Sequence, residues 1–156
     1  MNSTSTIQVH RMAHADLDRV IAIEQSLTTA PHWPRSAYIA ALDPQAVPPR
    51  IALVVEETNP SVIAGFVVAS LIPPQAELES IAIAAEYQRR GLARQLFSAL
   101  ATELRAALIL ELILELRASN HPALALYHRL GFVESGRRTR YYHDPVEDAV
   151  LMRLPL

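Results

Sequence analysis

The feature that most constrains the fold of this chain is the stretch at residues 87–94 (YQRRGLAR), which lies between a strand-like segment and a helix-like segment. Residues 77–83 (ELESIAI) alternate and are rich in β-branched side chains, whereas residues 92–104 are an uninterrupted run of good helix formers. The first N–H groups of a helix have no partner within it, so this order brings unpaired donors and arginines to one place. The stretch predicts a phosphate-binding loop in which Gly91 and Ala93 leave room for the anion. The alternative is an ordinary turn with solvated arginines.

Two further motifs lie downstream: residues 114–120 read LELRASN and residues 125–132 read ALYHRLGF. In this order and at about this separation, the motifs resemble those of the GCN5-related N-acetyltransferases. Within that family they are most similar to the bacterial enzymes that acetylate the N-terminal alanine of a small-subunit ribosomal protein. The resemblance covers nearly the whole chain. It implies an α/β fold with a mixed, mostly antiparallel sheet of six to seven strands flanked by about four helices, and direct transfer of acetyl from acetyl-CoA to an amine.

Length and composition limit the remaining classes of function. A chain of 156 residues that is 51% hydrophobic predicts a single globular domain over residues 1–156. The formal charge of −2 argues against a general nucleic-acid or membrane-surface binder. Without cysteine there is no disulfide, thiolate metal site or thiol nucleophile, and the six histidines lack ligand spacing, so no metal is predicted. The polar N-terminus and the lack of a long apolar run predict a cytoplasmic protein. We expect a monomer or weak homodimer whose partner is a protein N-terminus or peptide.

Periodicity and turn residues predict the elements along the chain. Strands are expected at residues 7–12, 51–56, 62–72, 77–83, 108–116, 132–140 and 148–154, and helices at residues 16–27, 36–42, 91–106 and 122–130. Gly131 is expected to end the last helix in a left-handed conformation. Residues 108–115 (LILELILE) repeat a four-residue unit, which fits a helix by glutamate spacing and a strand by β-branching. As a strand it would place Glu111 and Glu115 on one face and the leucines at 110, 112, 114 and 116 on the other.

The resemblance assigns the carrier site residue by residue. A strand that separates from its neighbour would bind the pantetheine arm, the loop and first helical turn would bind the pyrophosphate, and a residue at the start of the last helix would contact the cofactor. The matching residues are Ile81, Ala82 and Ile83 for the strand, Arg89, Arg90, Gly91, Leu92, Ala93 and Arg94 for the loop and turn, and Asn120 and Tyr127 on the last helix. Residues 81–83 taken alone would predict only a buried strand. Asn120 is also a helix N-cap by residue type.

Two catalytic roles follow from the same resemblance. Glu115 matches the general base and Tyr127 matches the acid that protonates the departing coenzyme A sulfur. The alternatives are that Glu115 is a surface residue paired with Arg117 or Arg94, and that Tyr127 is a core residue on the apolar side of its helix. Glu111, four residues before Glu115, is not expected to act as the base.

Acceptor recognition is predicted from two weaker matches. Trp33 lies in a proline-rich segment resembling a loop that borders the peptide site in these enzymes, and Tyr141 and Tyr142 match a tyrosine pair near the end of the chain. Proline at position 34 replaces the usual serine. Other hypotheses are an acetyltransferase of the same fold that acts on a small-molecule amine or a lysine side chain, and a non-catalytic module that binds acyl-CoA.

Overall fold

The computed structural model describes residues 4–27 and 32–156. The strands are β1 (Ile7–Arg11), β2 (Arg50–Glu57), β3 (Val62–Ile72), β4 (Gln75–Ile83), β5 (Glu111–Arg117), β6 (Val133–Tyr142) and β7 (Glu147–Pro155). The α-helices are α1 (Leu17–Ser26), α2 (Arg35–Leu42), α3 (Leu92–Ala106) and α4 (His121–Leu130). Two short 3₁₀ helices cover His14–Asp16 and Ala85–Tyr87.

The strands form one seven-stranded sheet in the order β1-β2-β3-β4-β5-β7-β6. Neighbouring strands are antiparallel, with the exception of β4 and β5, which are parallel. The expectation of a mixed, mostly antiparallel sheet flanked by four helices is therefore confirmed for the described residues.

Helix α3 packs on one face of the sheet because its apolar residues recur every three to four positions. Leu96, Leu100 and Leu104 are fully buried against the inner strands, and each such leucine contributes roughly 1.5–3 kcal/mol to stability. The apolar side of α4 packs against the same layer. Both elements that carry the cofactor motifs are thus fixed on this face.

Helices α1 and α2 cover the opposite face. Val20, Ile23 and Tyr38 are buried there against β2, β3 and the end of β4. The sheet therefore has a pair of helices on each face. A ligand that passed between two strands would contact both helix layers.

The prediction for residues 108–116 was wrong at its start. Strand β5 begins at Glu111, and Leu110, expected on the buried face, is 66% exposed. Helix α3 instead ends in a Schellman motif, in which the Ile109 N–H donates to the Leu104 carbonyl and the Leu108 N–H to the Arg105 carbonyl. Leu108 takes the left-handed position at φ +62°, which usually holds glycine.

No described helix is both long enough and apolar enough to cross a bilayer.

Candidate active site

Strands β4 and β5 separate part-way along their length. They pair only from Gln75 to Glu77 and from Glu111 to Ile113. Just beyond this point β4 has a bulge at Glu79, since Leu78 pairs with Ala69 while Ser80 pairs with Val68. Half of the backbone N–H and C=O groups of a strand point to each side, so those of residues 78–83 that face β5 have no ladder partner there.

The separation opens a cleft of about 1030 Å³ between the strands and the two helices of one face. Its walls are β4 residues 78–83, the loop before α3 with the first turn of that helix, β5 residues 114–117 and one side of α4. The cleft includes Ile81, Ala82 and Ile83, as the resemblance predicts. A long thin ligand can bind here by hydrogen bonding to the free backbone of β4, as an added strand would.

The N-terminus of α3 lies at one end of this cleft. Gly91 caps the helix at φ +76°, and a Cβ placed on it would meet no atom within 4 Å, so open space faces the first turn. Leu92, Ala93, Arg89 and Arg94 also line the cleft. The helix dipole and the unpaired N–H groups of this turn make the end of the cleft a good site for a pyrophosphate.

Arg90 does not follow its neighbours. Its guanidinium donates to Glu57 of β2 at 2.8 Å and lies 5.3 Å from the ring centre of Tyr87, and its side chain is outside the cleft lining. The resemblance predicts that Arg90 belongs to the phosphate-binding loop, and the structure places its side chain on the flank of that loop. Arg89 and Arg94 are the arginines of the loop that line the cleft.

Tyr127 lies on the side of α4 that faces the cleft. The helix ends in a Schellman motif with Gly131 at φ +102°, in which the Phe132 N–H donates to the Tyr127 carbonyl at 3.0 Å. The Tyr127 ring meets the buried Phe132 ring edge to face at 5.6 Å. Burial raises the pKa of Tyr127 to about 12, so its hydroxyl is protonated at neutral pH and can donate.

Asn120 lines the cleft and also caps α4. Its side-chain oxygen accepts from the Ala123 N–H at 3.3 Å, while its own N–H donates to the Arg117 carbonyl at 3.0 Å. The two roles considered from sequence, contact with the cofactor and capping of the helix, are therefore compatible at Asn120.

Glu115 projects from β5 toward the face covered by α1 and α2, because Leu114 and Leu116 on either side of it are buried under α3. It lines the cleft, and its carboxylate pairs with Arg138 of β6 at 3.0 Å, rather than with Arg117 or Arg94. Glu111 lies outside the cleft lining, where β4 and β5 are still paired, and binds Arg153 at 3.6 Å.

Sequence reasoning missed the carboxylates of β4 on this same face. The pKa of Glu77 is raised by burial and by the charges of Glu79 and Glu115. Glu79 is held by Arg50 at 2.9 Å. The one sequence signal was the spacing of the two glutamates in ELES, just before the phosphate-binding loop. The bulge that changes the position of Glu79 is not visible in the sequence.

Arg117 fixes the hairpin between β6 and β7. It donates to the carbonyls of His143 and Pro145, each at 3.0 Å, pairs with Glu147 at 3.3 Å, and lies 4.6 Å from the ring centre of Tyr142. Tyr142 lines the cleft, and burial together with the charge of Glu115 raises its pKa. The arginine of the LELRASN motif therefore positions a tyrosine that lines the cleft.

The other two predicted acceptor residues lie outside the cleft lining. Trp33 packs on buried Tyr38 at 5.3 Å, and its backbone N–H donates to Glu24, which is fully buried. Tyr141 is 47% exposed and stacks edge to face on Tyr142. Of the three predicted acceptor residues, Tyr142 lines the cleft, whereas Trp33 and Tyr141 do not. Packing and strand geometry decide which aromatic ring reaches the cleft.

Comparison with known proteins agrees with this geometry. A profile of the Acetyltransferase (GNAT) family matches residues 17–132, and the chain belongs to this family. GNAT acetyltransferases use acetyl-CoA as cosubstrate. The unpaired backbone of β4, the open space at Gly91 and the amide groups at the start of α3 fit its pantetheine arm and pyrophosphate.

Two curated relatives and one crystal structure show how far the likeness extends. The chain is 43% identical to the Escherichia coli (strain K12) [ribosomal protein bS18]-alanine N-acetyltransferase over 96 residues, 60% of this chain and 65% of that protein. This match thus spans just under two thirds of the relative's length. An N-alpha-acetyltransferase of Saccharolobus solfataricus is 33% identical over 90% of this chain and 88% of its own length. The crystal structure of the E. coli ribosomal-protein-S18-alanine N-acetyltransferase superposes with a TM-score of 0.77 at 31% identity, covering 96% of this chain and 94% of that chain.

Proposed function

We propose that this protein transfers the acetyl group of acetyl-CoA to the N-terminal α-amine of a protein, and that the acceptor is the N-terminal alanine of ribosomal protein bS18. The observation that carries the proposal is the placement of Glu115 and Tyr127 along one cleft, where β4 and β5 separate. Tyr127 comes from the helix layer that supports the cofactor, and Glu115 faces the opposite side of the sheet.

The two side chains have complementary roles in this proposal. Glu115 accepts a proton from the acceptor's ammonium, which frees the nitrogen lone pair to attack the thioester carbonyl carbon. As the new C–N bond forms and the C–S bond breaks, Tyr127 donates its proton to the departing sulfur. The tyrosine is suited to this step because burial keeps it protonated up to a pH well above neutral. The acylated nitrogen then loses its second proton to the Tyr127 oxygen, and Glu115 releases the first proton to solvent, which leaves the amide, the free thiol of coenzyme A and both side chains in their starting states.

The proposed acceptor matches the strength of this base. Deprotonating an α-amine with a pKa of about 8 costs on the order of 1.4 kcal/mol at pH 7, whereas a lysine amine at about 10.4 costs about 4.6 kcal/mol. A single carboxylate suffices for the first task more readily than for the second. Arginine partners also offset three of the four carboxylates of β4 and β5 on this face, those of Glu79, Glu111 and Glu115, which gives it less attraction for a polycationic small molecule.

The choice of bS18 rests on the activity of the E. coli relative and of the E. coli protein whose crystal structure is similar. Arg117 and Tyr142 support a peptide acceptor because they hold a hairpin and an aromatic ring at the mouth of the cleft.

Mass spectrometry of synthetic peptides tests the proposal. A peptide that begins with alanine and contains an internal lysine is incubated with acetyl-CoA and the protein, and fragment ions locate the added acetyl group. We expect one acetyl group at the α-amine. The control is the same peptide with a formylated N-terminus, which should remain unmodified. Acetylation of the formylated peptide on lysine would favour the side-chain activity instead, and no acetylation of either peptide would contradict the proposal.

A further inference from the structure

The carboxylate of Glu115 is already paired with a cation of the protein itself. Arg138 Nε lies 3.0 Å from Glu115 Oε1. Arg138 belongs to β6, one of the two edge strands of the described sheet, and its side chain is 55% exposed, while that of Glu115 is 24% exposed. Exposed ion pairs of this kind contribute little net stability, so this one can open at small cost.

We propose that Arg138 is an internal competitor for the acceptor's α-ammonium: its guanidinium occupies the position on Glu115 that the ammonium takes, and acceptor binding displaces it. The inference rests on the proposed function, in which Glu115 receives the acceptor amine. It adds a specificity-determining residue that sets how tightly a cationic acceptor binds.

The charges around Glu115 single out Arg138 for this role. On the same face, Arg50 is held by Glu79, Arg153 by Glu111, and Arg117 by Glu147 and the carbonyls of the hairpin. Glu77 of β4 and Tyr142 of β6 also feel the charge of Glu115. Among the described residues, Arg138 is the basic group within ion-pair distance of Glu115. Its departure leaves two neighbouring carboxylates, Glu115 and Glu77, to attract an incoming ammonium.

The strand geometry allows the Arg138 side chain to move away from Glu115. The pairing of β6 with β7 is irregular between Arg138 and Tyr142, so the backbone after Arg138 is not held in a regular ladder. The guanidinium already lies 5.6 Å from the ring centre of Tyr141, within the range of a cation–π contact. After displacement it keeps this partner without entering the cleft.

The variant Arg138→Gln removes the competing charge and keeps a polar side chain. Exposed ion pairs are worth about 0.2–1 kcal/mol, so we expect the KM for an alanine-terminated peptide to fall about 1.4- to fivefold while kcat stays within twofold of wild type. The matched control is Arg137→Gln on the same strand, since Arg137 pairs with Glu134 and not with Glu115. This control should leave both constants unchanged. A fall in kcat for Arg138→Gln at constant KM would make Arg138 a residue that orients the base, and would overturn the competition.

Two peptides that differ in the terminal ammonium group test whether Arg138 competes with that group. Calorimetry measures binding of two peptides to the protein saturated with coenzyme A: one begins with alanine, and the other begins with lactic acid, in which a hydroxyl replaces the ammonium. Arg138→Gln should tighten binding of the alanyl peptide and leave that of the lactyl peptide unchanged. Equal effects on both peptides, or no effect on either, would overturn the inference.

The two proposals fail in different ways. If the wild-type protein transfers no acetyl group to the alanyl peptide and does not bind it, the proposed acceptor is wrong and the inference falls with it. If transfer takes place but Arg138→Gln does not discriminate between the peptides, only the competition is wrong.

Discussion

Gly65 sets how closely β3 approaches the strand proposed to bind the pantetheine arm, so Gly65→Ala tests the cofactor site without touching the cleft. Gly65 pairs with Ile83, and a Cβ placed on it would lie 2.4 Å from Ile83 Cδ1 and 2.7 Å from the Ala82 carbonyl oxygen. Ordinary contacts begin near 3.4 Å, so β4 must move away from β3 at this point. Overpacking of this kind costs about 1–3 kcal/mol. Loss of one backbone hydrogen bond to the cofactor costs about 0.5–1.5 kcal/mol, equivalent to a two- to tenfold rise in Kd.

Urea unfolding measures the first quantity and calorimetry with acetyl-CoA measures the second. The matched control is Gly136→Ala on β6, where a Cβ would lie 3.9 Å from Leu151 Cδ1 in ordinary contact. Alanine lowers the entropy of the unfolded chain, so this control should be unchanged or more stable by up to about 1 kcal/mol, with unchanged affinity. If Gly65→Ala is as stable as wild type and binds acetyl-CoA equally well, the close approach of β3 does not position β4 for the cofactor.

Four further predictions concern individual side chains. Gly91→Val should abolish acetyl-CoA binding in a folded protein, because a branched side chain enters the open space at the start of α3. An unchanged affinity for acetyl-CoA in calorimetry would contradict the phosphate-binding loop. Glu115→Gln should lower turnover by about a hundredfold with acetyl-CoA affinity retained and with partial recovery at higher pH, whereas Glu111→Gln should do far less; equal losses would show that the base is misassigned. Tyr127→Phe keeps the ring contact with its neighbour, so stability should change by about 1 kcal/mol or less while turnover falls at least tenfold, and a variant with full turnover per folded molecule would assign protonation of the thiolate to water. The pKa of Glu147 is lowered from 4.5 by hydrogen bonds from Ser119 and by the nearby arginine, so the carboxylate should stabilise the fold above pH 4.5 and lose this effect as the pH falls below that value. The free energies of unfolding of wild type and Glu147→Gln, measured by chemical denaturation, should therefore converge as the pH falls below 4.5, and a difference that stays constant with pH would refute the linkage.

Local sequence signals predicted most of the elements and the parts of the cleft that depend on single segments. The alternation before the loop, the helix formers after it and the Asn120 cap each act within a few residues, so their geometry follows from the neighbouring sequence. The structure places Glu115, Asn120 and Tyr127 along one cleft, as the resemblance implied, while their roles stay predictions.

The sequence was least informative where distant segments decide the outcome. Leu108 ends α3 in a conformation that sequence rules assign to glycine, because the buried Ile109 that follows it fixes the turn. The Arg90 guanidinium donates to Glu57, which lies 33 positions earlier in the chain, and no local spacing predicts this contact. The pairing of Arg138 with Glu115 joins strands that are not neighbours in the sheet, and no spacing in the sequence predicts it.

The separation of β4 from β5 also limits the shape of any acceptor. The gap is bounded by two strands of one sheet, with the helix layer of α3 and α4 behind it and the hairpin held by Arg117 beside it. An extended chain end is about as wide as one strand, whereas a helix with its side chains is about 10–12 Å across, so an opening between two strands of one sheet favours the extended form. Under the proposed function, a substrate must therefore present several residues of free, uncoiled terminus. Selection then depends on when that terminus is accessible as well as on which residue it carries, and a protein whose terminus is already folded or buried in an assembly escapes modification.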